Sequence, residues 1–117
     1  MNGAELAAVI SSYRHHFHTE VMLHASIETL LNRLDIGHRR EVRLNDKDRP
    51  DFMVGRIAIE VKIKGSKSEV ITQLHRYAQC EQVDGLVLVT NCARHLGMPA
   101  TLNGKPLHVA SLLGGAF

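Results

Sequence analysis

The stretch that decides the fold is RPDFMVGRIAIEVKIKG, Arg49 to Gly65. Two apolar runs, Phe52–Val54 and Ile57–Ile63, flank Gly55-Arg56. A two-residue loop with glycine first predicts a type II′ hairpin. Pairing Val54 with Ile57 and counting outward sets Asp51 opposite Glu60, with Cβ atoms about 5 Å apart. Ile57, Ile59, Val61 and Ile63 alternate with Ala58, Glu60, Lys62 and Lys64. One side of the second strand is therefore expected to be a core face, and the other to carry the charges. A slip of one residue would bury Glu60 and Lys62 and expose the isoleucines, so the pattern fixes the register.

Two facing carboxylates repel unless something cationic sits between them. Lys62, two residues beyond Glu60, projects from the same strand face. Asp51, Glu60 and Lys62 thus offer oxygen ligands for a hard cation with an amine beside them. That is the minimum set for Mg²⁺-dependent phosphodiester hydrolysis. The same residues also fit a solvated edge hairpin with a surface Glu–Lys pair, since short motifs recur by chance.

Upstream, Met1 to Ser12 reads as a short helix. His18 to Leu34 reads as a longer one, with Leu23, Ile27, Leu30, Leu31 and Leu34 at helical spacing and Gly37 as its stop. Arg39 to Leu44 predicts a strand and Asn45 to Pro50 a polar turn. Downstream, Ser66-Lys67-Ser68-Glu69 fits a capping box for a helix over Lys67 to Glu81, with Val70, Leu74, Tyr77 and Ala78 turned inward. The run GLVLVT, Gly85 to Thr90, predicts a strand buried on both faces. Asn103-Gly104 predicts a hairpin turn between Thr101-Leu102 and Lys105–Val109. The order α-β-β-β-α-β with a terminal β element predicts a single α/β domain over 1–117, a mixed sheet flanked by helices.

Pro50-Asp51 and Glu60-Val61-Lys62 resemble the PD-(D/E)XK nuclease superfamily, in tone closest to its small Holliday-junction-resolvase-like and VRR-NUC-like branches. The likeness covers about Thr19 to Tyr77 and fades afterwards. It implies a restriction-endonuclease-like αβββαβ core and a Mg²⁺ site, with Mn²⁺ as a substitute, on Asp51, Glu60, the Val61 carbonyl and Glu20. Glu20 falls on the inward stripe of the longer helix; it also reads as an ordinary first-turn glutamate. Gln73 and Tyr77, at i and i+4, resemble the QxxxY element that lines the cleft of RecB-like nucleases. A core tyrosine and a surface glutamine fit equally well. On this reading Asp51, Glu60, Lys62 and Gln73 carry the chemistry. Lys62 stays protonated beside two carboxylates, so it orients water or stabilises charge rather than acting as a base.

Lys64, Lys67, Arg76, Arg39, Arg40, Arg43 and Arg49 cluster in the middle of the chain, where a phosphate backbone could lie against them, with Tyr77 beside it. The formal net charge of +2 is too mild to identify a nucleic-acid partner alone. His15, His16, His18 and His24 lack the spacing of a zinc set and read as polar surface. Cys80 and Cys92 read as reduced thiols. No apolar run reaches the roughly 18 residues of a membrane span, and no signal-peptide pattern is present. These features lead to the expectation of a cytoplasmic protein from a bacterial or phage gene. The expected activity is Mg²⁺-dependent cleavage of DNA, structure-selective because 117 residues leave no room for a large recognition region. Symmetric cuts on both strands need a homodimer. The competing expectations are a nuclease-fold module that binds DNA or a partner without cleaving, and a plain structural domain.

Overall fold

The computed structural model describes residues 1–113. Three helices, α1 (Gly3–Ser12), α2 (Glu20–Arg33) and α3 (Lys67–Ala78), pack on a six-stranded sheet. Its strands are β1 (Arg39–Arg40), β2 (Phe52–Val54), β3 (Ile57–Lys62), β4 (Gly85–Thr90), β5 (Thr101–Leu102) and β6 (Lys105–Ser111), in the order β1-β2-β3-β4-β6-β5. The sheet is mixed. β4 runs parallel to both β3 and β6, and the remaining pairs are antiparallel. A parallel pair needs a crossover, and α3 supplies the one from β3 to β4. The chain is therefore an α/β domain. Among the described residues no helix is long and apolar enough to cross a membrane.

The central hairpin has the register read from the sequence, with Val54 opposite Ile57 and Phe52 opposite Ile59. Gly55 turns with φ of 57°, as the first residue of a II′ loop must. All six residues of β4 are buried, since helices cover both faces of the sheet. On one face α1 and α2 bring Leu6, Ile10, Leu23, Ile27 and Leu31 onto Phe52, Ile59, Val61, Val87 and Val89. On the other, Val70, Leu74, Tyr77 and Ala78 of α3 cover Met53, Ala58, Leu86 and Leu88.

Four local expectations need correction. The charged side of β3 is not an open face: α3 lies over it, and Glu60 is only 4% exposed. The register holds, but it buries Glu60 rather than sparing it. β1 is two residues long, because Glu41 takes a left-handed φ of 48° that an extended strand cannot contain. α2 ends at Arg33 in a Schellman turn, with Asp35 and not Gly37 in the left-handed position (φ 55°). The N–H of Ile36 donates to the Leu31 carbonyl and that of Asp35 to the Asn32 carbonyl. Leu34 becomes the cap and stands 49% exposed instead of joining the core. α3 stops at Ala78 rather than Glu81. Ser66 caps its start as expected, its hydroxyl accepting from the Glu69 N–H at 3.2 Å.

Candidate active site

The hairpin register carries one step past Phe52–Ile59 to set Asp51 against Glu60. The Asp51 N–H donates to Glu60 Oε1 at 3.3 Å. Asp51 Oδ2 in turn accepts from the Val61 N–H at 2.7 Å. One step further, Pro50 falls opposite Val61. Proline has no N–H, so the Val61 carbonyl receives no ladder donor from it. A buried Pro50 thus ends the β2–β3 ladder at the point where the two acids meet.

Lys62 closes the other side of Glu60, with Nζ 3.3 Å from Oε2. From α3, the Tyr77 hydroxyl donates to Glu60 Oε1 at 3.0 Å. Tyr77 is fully buried. Its expected contact with nucleic acid is therefore replaced by a different role: it holds a carboxylate in place from beneath. Burial raises its pKa well above the ordinary phenol value, and the Glu60 charge adds to the rise, so it remains a donor.

Burial dominates the electrostatics of both acids. It pushes the Glu60 carboxyl up to about 7; the Asp51 charge adds to that rise, while Lys62 and Tyr77 oppose it. Burial also raises Asp51, against the pull of the Val61 N–H and the nearby His24, and Glu20 adds to the rise. For both acids the cost of burial outweighs the help of the neighbouring cation. Lys62 alone does not restore the balance.

The sequence reading missed His24. Its Nε2 lies 3.5 Å from Asp51 Oδ2. That nitrogen is buried and has no hydrogen-bond partner among the described residues, although the half-buried ring packs edge-on against Phe52. Buried polar atoms are rarely left so. The signal was present in the chain: Glu20 and His24 are at i and i+4, so they share a helix face. The other histidines of the run do not join the site. His15 instead ties α1 to α2, contacting Ser26 Oγ at 2.6 Å and the Ile10 carbonyl at 2.9 Å.

An open cleft of ≈ 510 Å³ reaches this group through Lys62; its walls include Glu20, Lys62, Lys64, Glu69, Gln73 and Arg76, while Asp51 and Glu60 do not line it. Lys62 lines the cleft and also pairs with Glu60. Glu20 is half-buried at the cleft wall, not in the core stripe expected for it. Arg76 is partly committed elsewhere, its Nε donating to Asp48 Oδ1 at 2.9 Å. Lys64, Lys67 and Arg49 are exposed. Cys80 and Cys92 are both free thiols, as expected.

Among the described residues, no three His, Cys, Asp or Glu side chains form a ready-made metal cage. Mg²⁺ does not need one, since it commonly takes one or two carboxylates and keeps several waters. Two adjacent carboxylates, a backbone carbonyl left without a ladder donor by Pro50 and the His24 nitrogen 3.5 Å from Asp51 are donors of the kind such a hydrated cation takes.

No protein family matches the chain, and no curated protein or solved structure is significantly similar to it.

Proposed function

We propose that this domain is a Mg²⁺-dependent phosphodiesterase that cuts DNA, a small nuclease of the PD-(D/E)XK type with a restriction-endonuclease-like core. The observation that carries the reading is the pairing of Asp51 with Glu60 at the end of the β2–β3 ladder, with Lys62 Nζ 3.3 Å from Glu60. Asp51, Glu60, the Val61 carbonyl and Glu20 would hold the ion. When bound, Mg²⁺ supplies a Lewis acid for the phosphate and an acidified water. Mn²⁺ substitutes for it.

The chain's own residues do the rest. Tyr77 and Lys62 fix the two Glu60 oxygens, so the carboxylate cannot rotate away from Asp51. Lys62, lining the cleft, meets negative charge as it develops on the phosphate. Gln73 on the cleft wall positions the phosphate or the attacking water. Lys64 and Lys67 attract the strand electrostatically, and Arg49 and Arg76 border its path. This reading includes recognition of DNA structure rather than sequence, with a homodimer for paired cuts.

A second reading has its own support. Lys62 and Tyr77 already occupy both Glu60 oxygens, as they would in a nuclease-like module that binds DNA without cutting it. A panel of end-labelled four-way junction, flap, single-stranded and duplex DNA separates the two. Cleavage of at least one substrate that needs Mg²⁺ or Mn²⁺ and disappears in Asp51→Asn supports the nuclease. Tight binding with no metal-dependent product supports the inactive module.

A further inference from the structure

We infer that the loop between β1 and β2 carries a second anion site, which takes one backbone phosphate of the DNA strand beside the scissile one. The inference rests on the nuclease reading and extends it to how the strand is held. A separate depression of ≈ 300 Å³ has Arg43, Asp46, Lys47, Arg49, Gln73 and Tyr77 among its walls. Three cations and one carboxylate border it. Lys47 makes no ion pair among the described residues. Arg49 has only a loose partner, Glu41 at 3.9 Å, and both side chains are more than half exposed. Arg43 donates to nothing closer than the Asp46 carbonyl, at 3.4 Å.

The loop is held in shape independently of any ligand. Asn45 Oδ1 accepts from the N–H groups of Lys47 and Asp48 at 2.8 and 2.9 Å. Asp48, 5% exposed, receives Asn45 Nδ2 on one oxygen and Arg76 Nε on the other, both at 2.9 Å. Gln82 binds the Leu44 carbonyl at 3.2 Å. The cations therefore sit on a pre-ordered turn, and little ordering cost remains to be met on binding. Gln73 is the shared wall: it borders this depression and also the cleft that holds Lys62. A strand with its reacting phosphate at Lys62 runs over Gln73 and sets its neighbouring phosphate between Lys47 and Arg49.

The test is the salt dependence of DNA binding by the wild-type domain in EDTA, where no cleavage occurs, read by fluorescence anisotropy on labelled single-stranded and duplex DNA. Lys47→Gln and Arg49→Gln should each reduce the slope of log affinity against log salt by about 1, and the double variant by about 2. Arg14→Gln makes the same charge change on a different depression, beside Tyr13 and Ser111. It should leave the slope intact. Unchanged slopes for the Lys47 and Arg49 variants, or an equal drop for Arg14→Gln, would overturn the site while leaving the nuclease reading standing. Absence of any salt-dependent DNA binding by the wild type would overturn both. Binding of inorganic phosphate that Lys47→Gln abolishes, with DNA affinity unchanged by the same substitution, would assign the site to free phosphate and overturn the strand assignment.

Discussion

The Tyr77 hydroxyl, buried under α3, donates to Glu60 Oε1 at 3.0 Å. A phenol whose pKa burial raises thus holds a carboxylate that ionises reluctantly. The hydrogen bond favours the charged form of Glu60. Removing it in Tyr77→Phe leaves a buried carboxylate short of a donor, which costs about 1–3 kcal/mol. The Glu60 pKa should rise further above 7. Carboxyl-carbon NMR titration of the two proteins checks this, and an unchanged Glu60 midpoint would remove Tyr77 from the electrostatics of the site.

Stability should fall as pH rises. Glu60 titrates near 7 in the folded chain, and an unfolded glutamate near its ordinary value of about 4.3. Between those values the folded state holds the proton that the unfolded state has lost. Folding is therefore favoured at the acidic end, and the advantage disappears as pH passes through about 7. Asp51, also raised, acts in the same direction. Urea denaturation without divalent cations should show a loss on the order of 2 kcal/mol from pH 5 to pH 8. Glu60→Gln should flatten the profile. Because the half-buried His15, lowered from its ordinary value, acts in the opposite direction, the decisive comparison is between the two proteins. A Glu60→Gln profile with the same slope as the wild type would contradict the burial argument.

Lys62→Met keeps the length of the stem and removes the charge 3.3 Å from Glu60. If Lys62 stabilises charge on the reacting phosphate, turnover should drop about 100-fold or more, as when a preorganised donor is lost elsewhere. DNA affinity, carried by many phosphate contacts, should change far less. Single-turnover cleavage beside anisotropy separates the two effects. An equal loss in both would make Lys62 a binding residue only.

Asp48 is a buried carboxylate whose burial is outweighed by hydrogen bonds from Arg76 and Asn45, so its pKa lies below the ordinary range. Arg76→Ala takes away one of those donors and should cost about 1–3 kcal/mol in the denaturation midpoint. Most of that loss should vanish below the Asp48 titration, where the acid is neutral. A pH-independent loss would point to packing of the Arg76 stem instead.

How much of this was legible follows from how far apart the partners lie in the chain. The hairpin register, the buried β4 and the turn at Asn103-Gly104 come from period and turn chemistry, which neighbouring residues specify. The facing of Asp51 and Glu60 follows from the same count. The burial of Glu60 does not: alternation separates two strand faces but cannot say whether a helix covers the polar one. Tyr77 is 17 residues from Glu60, and Arg76 is 28 from Asp48. Only the packing of α3 brings them together. His24 is legible only through its i, i+4 spacing from Glu20, because a run of histidines without ligand spacing looks like any solvated stretch.

The central claim is that Asp51 and Glu60 together take a divalent cation, and Mn²⁺ titration of the ¹⁵N-labelled domain followed by NMR tests it most directly. Saturable paramagnetic broadening centred on the amides of Asp51, Glu60 and Val61, spreading to His24 and lost in Asp51→Asn, is the predicted result. Weak, non-saturating broadening scattered over surface carboxylates, the same in both proteins, would contradict it.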